Sequence, residues 1–243
     1  MSNQSLNSLA LISARFTHTA LEVLSQLLAA SLVALCQALD LRALQLSFLA
    51  SFRSEFDEIV RSRLTSLAEK DIYALEESGW HALLKGFDAT ARIDANERFN
   101  IISKSVREVV LDFESGAKIQ SVVDHLQIFT STLAESLQLR WSLHREAYLT
   151  TEGVGDASPF LGIASRRIYE FVRRDLGVPL LHTKKIKTQK AESSVAAFDR
   201  EDETPTVGYF TSIVYRAVRD GRLANLSIEI LRESRCVTNS VST

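Results

Sequence analysis

Five histidines (His18, His81, His125, His144 and His182) and two tryptophans (Trp80 and Trp141) are the side chains here best suited to proton transfer or aromatic binding. Trp80 and His81 follow Gly79 in "EESGWHALLKGF", Glu76 to Phe87, which reads as a break in a helical pattern. A loop on a helical scaffold can cap a pocket. Trp141 and His144 are three residues apart and share a helix face. Asp124 and His125 are adjacent, so on a helix their side chains diverge. Packing is the simplest role for these pairs, and a hydrogen-bonded surface or subunit-interface position is the simplest role for His18. No metal-ligand spacing, nucleophile elbow or phosphate loop is present. Cys36 and Cys236 form no ligand or redox spacing, so the expected setting is intracellular and cytoplasmic, with reduced thiols.

The elements that must position these residues are helical. The first proline is Pro159, and only Gly79, Gly86 and Gly116 precede residue 150. So few helix breakers point to an all-α chain. Leu9, Ile12, Phe16, Ala20, Val23, Leu27, Ala30 and Ala34 step by threes and fours along one face. Leu21, Leu24, Leu28, Leu32, Leu35 and Leu39 make a second apolar face. The run Val23 to Leu39 has no charge. It resembles a membrane span in length, but Ser25, Gln26, Ser31 and Gln37 interrupt it and no aromatic or basic anchors flank it. A helix buried on all sides in a bundle is the reading adopted, with partner subunits as the surround. The pattern continues through Phe48, Phe52, Phe56, Ile59 and Leu64, as a second helix or a bent continuation. Further helices are predicted over Glu97–Phe113 and Ala117–Leu149, with Ser115–Gly116 between them.

The expected organisation is a long-helix bundle over residues 1–149, shorter helices over 150–235 and a disordered tail at 236–243. A short helix from Ser165 to Leu176 ends at Gly177. The stretch 182–205 reads as a mobile polar loop, in which Lys184, Lys185, Lys187 and Lys190 precede the acidic run Asp199 to Glu203. These opposite runs compensate each other. With a formal net charge of −2, the chain has no field that favours nucleic acid.

Four segments carry a resemblance: "NQSLNSLALISAR", "LVALCQALDLRAL", "IYEFVRRDLGV" and "TVGYFTSIVYRAVRDGRLANLSIEIL". In that order they resemble the C-terminal half of phenylalanine ammonia-lyase, the fungal form above all. Residues from about Ser54 to Arg145 match only in helical character. The resemblance implies a helical homotetramer with a central bundle of long helices. It also implies removal of ammonia from an aromatic amino acid to give an arylacrylate such as cinnamate. The family's electrophile is a methylidene-imidazolone, formed by cyclisation of an Ala-Ser-Gly tripeptide, and its base is a tyrosine on an N-terminal loop. Asn3 and Gln4 match an active-site asparagine and glutamine. The glutamate that precedes these in the family would fall before Met1.

No Ala-Ser-Gly occurs in the sequence, and both Ser78–Gly79 and Ser115–Gly116 follow a glutamate. The expected cofactor content of the chain is therefore none, and deamination by this polypeptide alone is not expected, because asparagine and glutamine supply neither electrophile nor base. Three functions follow. The chain is a truncated ammonia-lyase polypeptide that works with a complementary N-terminal chain. Or it is a repurposed catalyst of fungal secondary metabolism, free of that cofactor. Or it is a non-catalytic scaffold that binds full-length relatives. The expected partners are a second copy, as dimer or tetramer, or that complementary chain. A small aromatic substrate fits as well; nucleic acid and membrane do not.

Overall fold

The computed structural model describes residues 4–64, 69–113, 119–150, 157–182 and 206–240. The described residues form helices α1 (Gln4–Arg63), α2 (Glu69–Ala89), α3 (Ala95–Phe113), α4 (Ile119–Thr150), α5 (Ile163–Glu170), α6 (Val207–Arg219) and α7 (Arg222–Ser240). A 3-10 turn at Ser158–Phe160 precedes α5, and a π-helical turn at Phe171–Asp175 follows it. No strand occurs among the described residues, and the chain is all-α. The predicted polar loop falls almost wholly on residues 183–205, outside the described part. Of the expected tail, residues 241–243 lie outside as well, while α7 runs on to Ser240.

The chain divides into two compact units. One combines Met1–Ala43 with Thr151–Thr243, and the other is Leu44–Thr150. The sequence offers a single boundary near residue 149. It hides the one at residue 43 because α1 is one unbroken helix there, without glycine, proline or a shift in period.

In the Leu44–Thr150 unit, the second half of α1 packs with α2, α3 and α4. Phe48, Phe52 and Phe56 step by one turn down α1, and the rings of Phe48 and Phe52 stack at 5.4 Å. Phe99, Ile102, Val106 and Val110 face them from α3, and Leu126, Phe129, Leu133 and Leu137 from α4. Each set follows the three-and-four spacing of a buried helical stripe. All these side chains are buried.

Helix α2 corrects the expected interruption at Glu76 to Phe87. Gly79 and Gly86 do not break it; they let it approach its neighbours closely. A Cβ on Gly79 would lie 3.1 Å from Phe56 Cζ, and one on Gly86 would lie 3.2 Å from Ile102. The helix-propensity loss of about 1 kcal/mol per glycine is offset by the contact it permits. Beyond Ala89 the chain turns. Arg98 Nη2 donates to Phe87 O at 2.9 Å and its Nε to Thr90 Oγ1 at 3.2 Å. The same guanidinium lies over the rings of Phe87 and Trp141, and burial pushes its pKa down.

In the other unit, Ala29, Val33, Cys36 and Ala43 of α1 join Tyr169, Phe171, Val172, Phe210, Val214 and Ala217. The α5 segment is tightened by the π turn, where Leu176 N donates to Phe171 O at 2.9 Å. Gly177 ends it at φ +68°, the predicted left-handed stop. Thr206 caps α6 by accepting from Tyr209 N, and Gly221 at φ +76° turns the chain into α7.

Gly79→Leu is expected to overpack the α1–α2 contact and cost about 1–3 kcal/mol. The check is a urea titration; an unchanged midpoint would mean that α2 does not approach Phe56 closely.

Candidate functional site

Asn3 lies outside the described residues. Gln4 is the first residue of α1, and its side chain lies outside them too. Of the histidines and tryptophans singled out in the sequence, His18, Trp80, His81, His125, Trp141 and His144 sit on helices and His182 does not. Trp80 is half-buried on α2, its ring 5.4 Å from that of Phe56 and under the guanidinium of Arg53 at 5.1 Å. His81, one residue on, is exposed. The expected pocket-capping loop is therefore a helix whose adjacent side chains diverge.

Trp141 and His144 are brought together. Both rings meet Phe48, Trp141 edge-on at 5.0 Å and His144 at 5.8 Å. His144 Nε2 is 2.9 Å from Ser47 Oγ. Ser47 donates its own proton to Leu44 O at 3.0 Å. The imidazole N–H therefore donates to Ser47, and the serine is not set up as a nucleophile. Burial pushes the His144 pKa below its ordinary value, so the ring is neutral at pH 7. A groove of about 410 Å³ beside it is lined by Phe48, Ser51, Glu55 and Arg140. Both oxygens of Glu55 are taken, by Ser136 Oγ at 2.5 Å and by Arg140 Nε at 2.6 Å. Trp80, Trp141 and His144 of the Leu44–Thr150 unit are thus held in packing and hydrogen bonding.

The feature with most consequence lies on α1. Arg15, His18, Glu22, Ser25, Ala29, Val33, Cys36, Asp40 and Ala43 step by threes and fours. From Ala29 to Ala43 this stripe is buried in its unit. It carries two carboxylates, and each is held by a tyrosine and the arginine four residues after it. Asp40 accepts from Tyr169 Oη and from Arg173 Nη2, the latter at 2.5 Å, and both members of the ion pair are fully buried. Arg173 Nη1 also donates to the carbonyls of Val178 and Pro179. Glu22 accepts from Tyr215 Oη and Arg219 Nη1, each at 3.0 Å. In both clamps the arginine lies 5.9 Å from the centre of its tyrosine ring.

Burial pushes the Tyr169 hydroxyl well above its ordinary range, so it stays a donor. Burial also pushes the Cys36 thiol up to about 11, which leaves it unreactive at neutral pH. Gln37 adds a further tie. Its amide donates to Leu181 O at 2.9 Å and accepts from Leu181 N at 3.0 Å. The clamps escape a search for catalytic motifs. Their signal is a lone carboxylate on an apolar stripe, which cannot be buried unpaired.

The two apolar faces named from the sequence flank this stripe, and much of them is uncovered. Leu9 is 65% exposed, Phe16 72%, Leu24 57%, Leu27 62% and Leu35 59%. By length and composition α1 contains a stretch able to cross a membrane. One side of it is already committed to a protein core through Ala29, Val33 and Cys36.

The described residues do not fit the methylidene-imidazolone. Glu77–Ser78–Gly79 lies inside α2, with Gly79 packed against Phe56. Ser115 and Gly116 lie outside the described residues.

Removing one member of the Asp40 clamp is expected to cost about 3–5 kcal/mol, because it strands a buried charge. Asp40→Leu with Arg173→Leu should cost less than either single change. Urea unfolding of the three variants checks this; single changes within 0.5 kcal/mol of wild type would contradict it.

Residues 1–62 match the family model of the aromatic amino acid lyases. Phenylalanine ammonia-lyase 1 of Pleurotus ostreatus is 33% identical over 239 residues, covering 95% of this chain and 31% of that protein. A phenylalanine aminomutase of Talaromyces islandicus is 27% identical over 93% of this chain and 30% of its own length. A crystal structure of phenylalanine ammonia-lyase from the yeast Rhodosporidium toruloides aligns with a TM-score of 0.76 at 27% identity, over 95% of this chain and 33% of that one. The chain thus spans about a third of the length of the relatives it matches. Its first 62 residues match the aromatic amino acid lyase family, and over nearly its whole length it is similar to fungal phenylalanine ammonia-lyases.

Proposed function

We propose that these residues are the long-helix part of an aromatic amino acid ammonia-lyase, which assembles through α1 with further copies. The observation that carries this is the uncovered apolar surface of α1. Leu9, Leu11, Ile12, Phe16, Leu21, Val23, Leu24, Leu27, Leu28 and Leu35 are each at least 40% exposed. At roughly 80–100 Å² apiece, they offer on the order of 800–1,000 Å² per copy, about what each partner contributes to a stable interface. A lone soluble chain rarely leaves so large a patch open.

Asn3 and Gln4 take substrate-side roles in this reading, orienting a small aromatic amino acid by hydrogen bonds. They provide no base and no electrophile. With no Ala-Ser-Gly among these 243 residues, the methylidene-imidazolone comes from polypeptide outside them, on the same chain or another. The setting is the cytoplasm, where Cys36 remains a thiol. Ammonia elimination is preferred over the aminomutase outcome because the ammonia-lyases are the more similar relatives.

Two measurements test the two halves. Co-expression with a polypeptide bearing the Ala-Ser-Gly segment should yield cinnamate from phenylalanine, while the 243-residue chain alone yields none. Cinnamate from the chain alone, or none from the pair, would overturn the catalytic half. Leu27→Glu should weaken self-association by about 100-fold or more, as expected for a charge brought into an apolar interface. Unchanged sedimentation would overturn the assembly half. Binding to phosphatidylcholine vesicles without self-association would replace it with a membrane reading.

A further inference from the structure

The groove between α1 and α4 in the Leu44–Thr150 unit holds polar groups whose bonding capacity the fold leaves partly unused. Its volume of about 410 Å³ is that of a small-molecule site. Phe48, Phe52 and Glu55 line it from α1, and Arg140, Leu143 and His144 line it from α4.

Arg140 spends its Nε on Glu55 at 2.6 Å, and its side chain is 56% exposed. The two Nη groups of the fork remain. A guanidinium fixed on one edge by a carboxylate offers its other edge to a second carboxylate. Glu55 receives one donor on each oxygen, from Ser136 and from Arg140, and each oxygen can accept another. His144 is the third group. Ser47 gives its proton to Leu44 O, so His144 donates through Nε2. The ring is neutral, and its Nδ1 is therefore an acceptor. Arg140 and His144 lie four residues apart on one face of α4, about 6 Å along the helix.

The charges that line the groove sum to zero: Glu55 is negative, Arg140 positive and His144 neutral. A lone anion would meet Glu55 there, and a lone cation would meet Arg140. A ligand that carries both charges close together satisfies both groups. Leu143, 54% exposed, adds an apolar wall beside the stacked rings of Phe48 and Phe52.

We propose that this groove is a binding site for a free α-amino acid with an apolar or aromatic side chain. Arg140 takes the ligand carboxylate through its Nη groups. Glu55 and His144 Nδ1 accept from the ligand ammonium, and the ligand side chain lies along Leu143. The hydrogen bond to Ser47 then fixes the tautomer of His144 that presents an acceptor.

The test is an NMR titration of the full chain, labelled with nitrogen-15 at histidine, with L-phenylalanine as the probe. The Nδ1 resonance of His144 is assigned by its absence in His144→Gln. It should shift with a dissociation constant on the order of 1 mM, the strength that a ligand of about 12 heavy atoms reaches at ordinary efficiency. 3-Phenylpropionate and phenethylamine each lack one of the two charges and should bind about 10-fold more weakly. Arg140→Gln should weaken L-phenylalanine by about 10-fold or more. Glu55→Gln should reverse the order of the probes, because the groove then carries a net positive charge and 3-phenylpropionate suits it best. A side chain that only pins α4 to α1 would leave that order unchanged. Circular dichroism and urea midpoints show that each variant keeps its helices. No shift up to about 20 mM L-phenylalanine, equal binding of the three probes, or an unchanged order in Glu55→Gln overturns the proposal. L-Phenylalanine binding that Asn3→Ala abolishes and Arg140→Gln leaves intact overturns it as well.

Discussion

From Phe16 to Leu41 the formal charges on α1 are Glu22 and Asp40 alone, and both must be neutralised before that stretch can be surrounded; the Met1–Ala43/Thr151–Thr243 unit is organised around that need. Asp40 sits where α1 turns its buried stripe toward the π turn after α5. Its charge is met by Tyr169 and Arg173, and Arg173 in turn holds the carbonyls of Val178 and Pro179. Gln37, one turn earlier, fixes Leu181 through both faces of its amide. The extended segment after Gly177 therefore takes its place from α1 side chains rather than from a ladder of backbone bonds. The same device recurs at Glu22 with residues of α6. Buried ion pairs are seldom the strongest source of stability, but they are demanding about geometry. Here they fix which stripe of α1 turns inward and leave the two leucine-rich faces outward.

The Leu44–Thr150 unit solves a different problem. Its part of α1 carries phenylalanines one turn apart, and its core is an aromatic and aliphatic cluster that, among the described residues, holds no ion pair with both members fully buried. Close approach is obtained with glycine at Gly79 and Gly86. Trp141 closes the cluster against Phe48, Phe87 and Phe99, with Arg98 over its face. His144 and Ser47 complete the polar edge in a wiring that suits structure more than proton transfer.

Much of this was legible in the sequence. The scarcity of helix breakers before Pro159 announced an all-α chain, and four quoted segments carried the family. The glycine stop at Gly177 was also readable, because its mechanism is local. The continuity of α2 was not. A glycine that breaks a helix and one that lets two helices touch look alike until Phe56 is placed opposite it. The clamps were hidden for a similar reason: Asp40 and Arg173 are 133 residues apart. Only the position of Asp40 on the stripe through Ala29, Val33 and Cys36 hinted that it would need a partner. Asn3, for which the resemblance made the strongest functional claim, lies outside the described residues, and so does the side chain of Gln4.

The central claim is that the leucine-rich faces of α1 are covered by other copies. Hydrogen–deuterium exchange of the full chain, followed at low and high protein concentration, tests it most directly. Amides from Leu9 to Leu35 should gain protection as concentration rises, while those of the Leu44–Thr150 unit stay unchanged. Exchange over Leu9 to Leu35 that is fast and independent of concentration would contradict it.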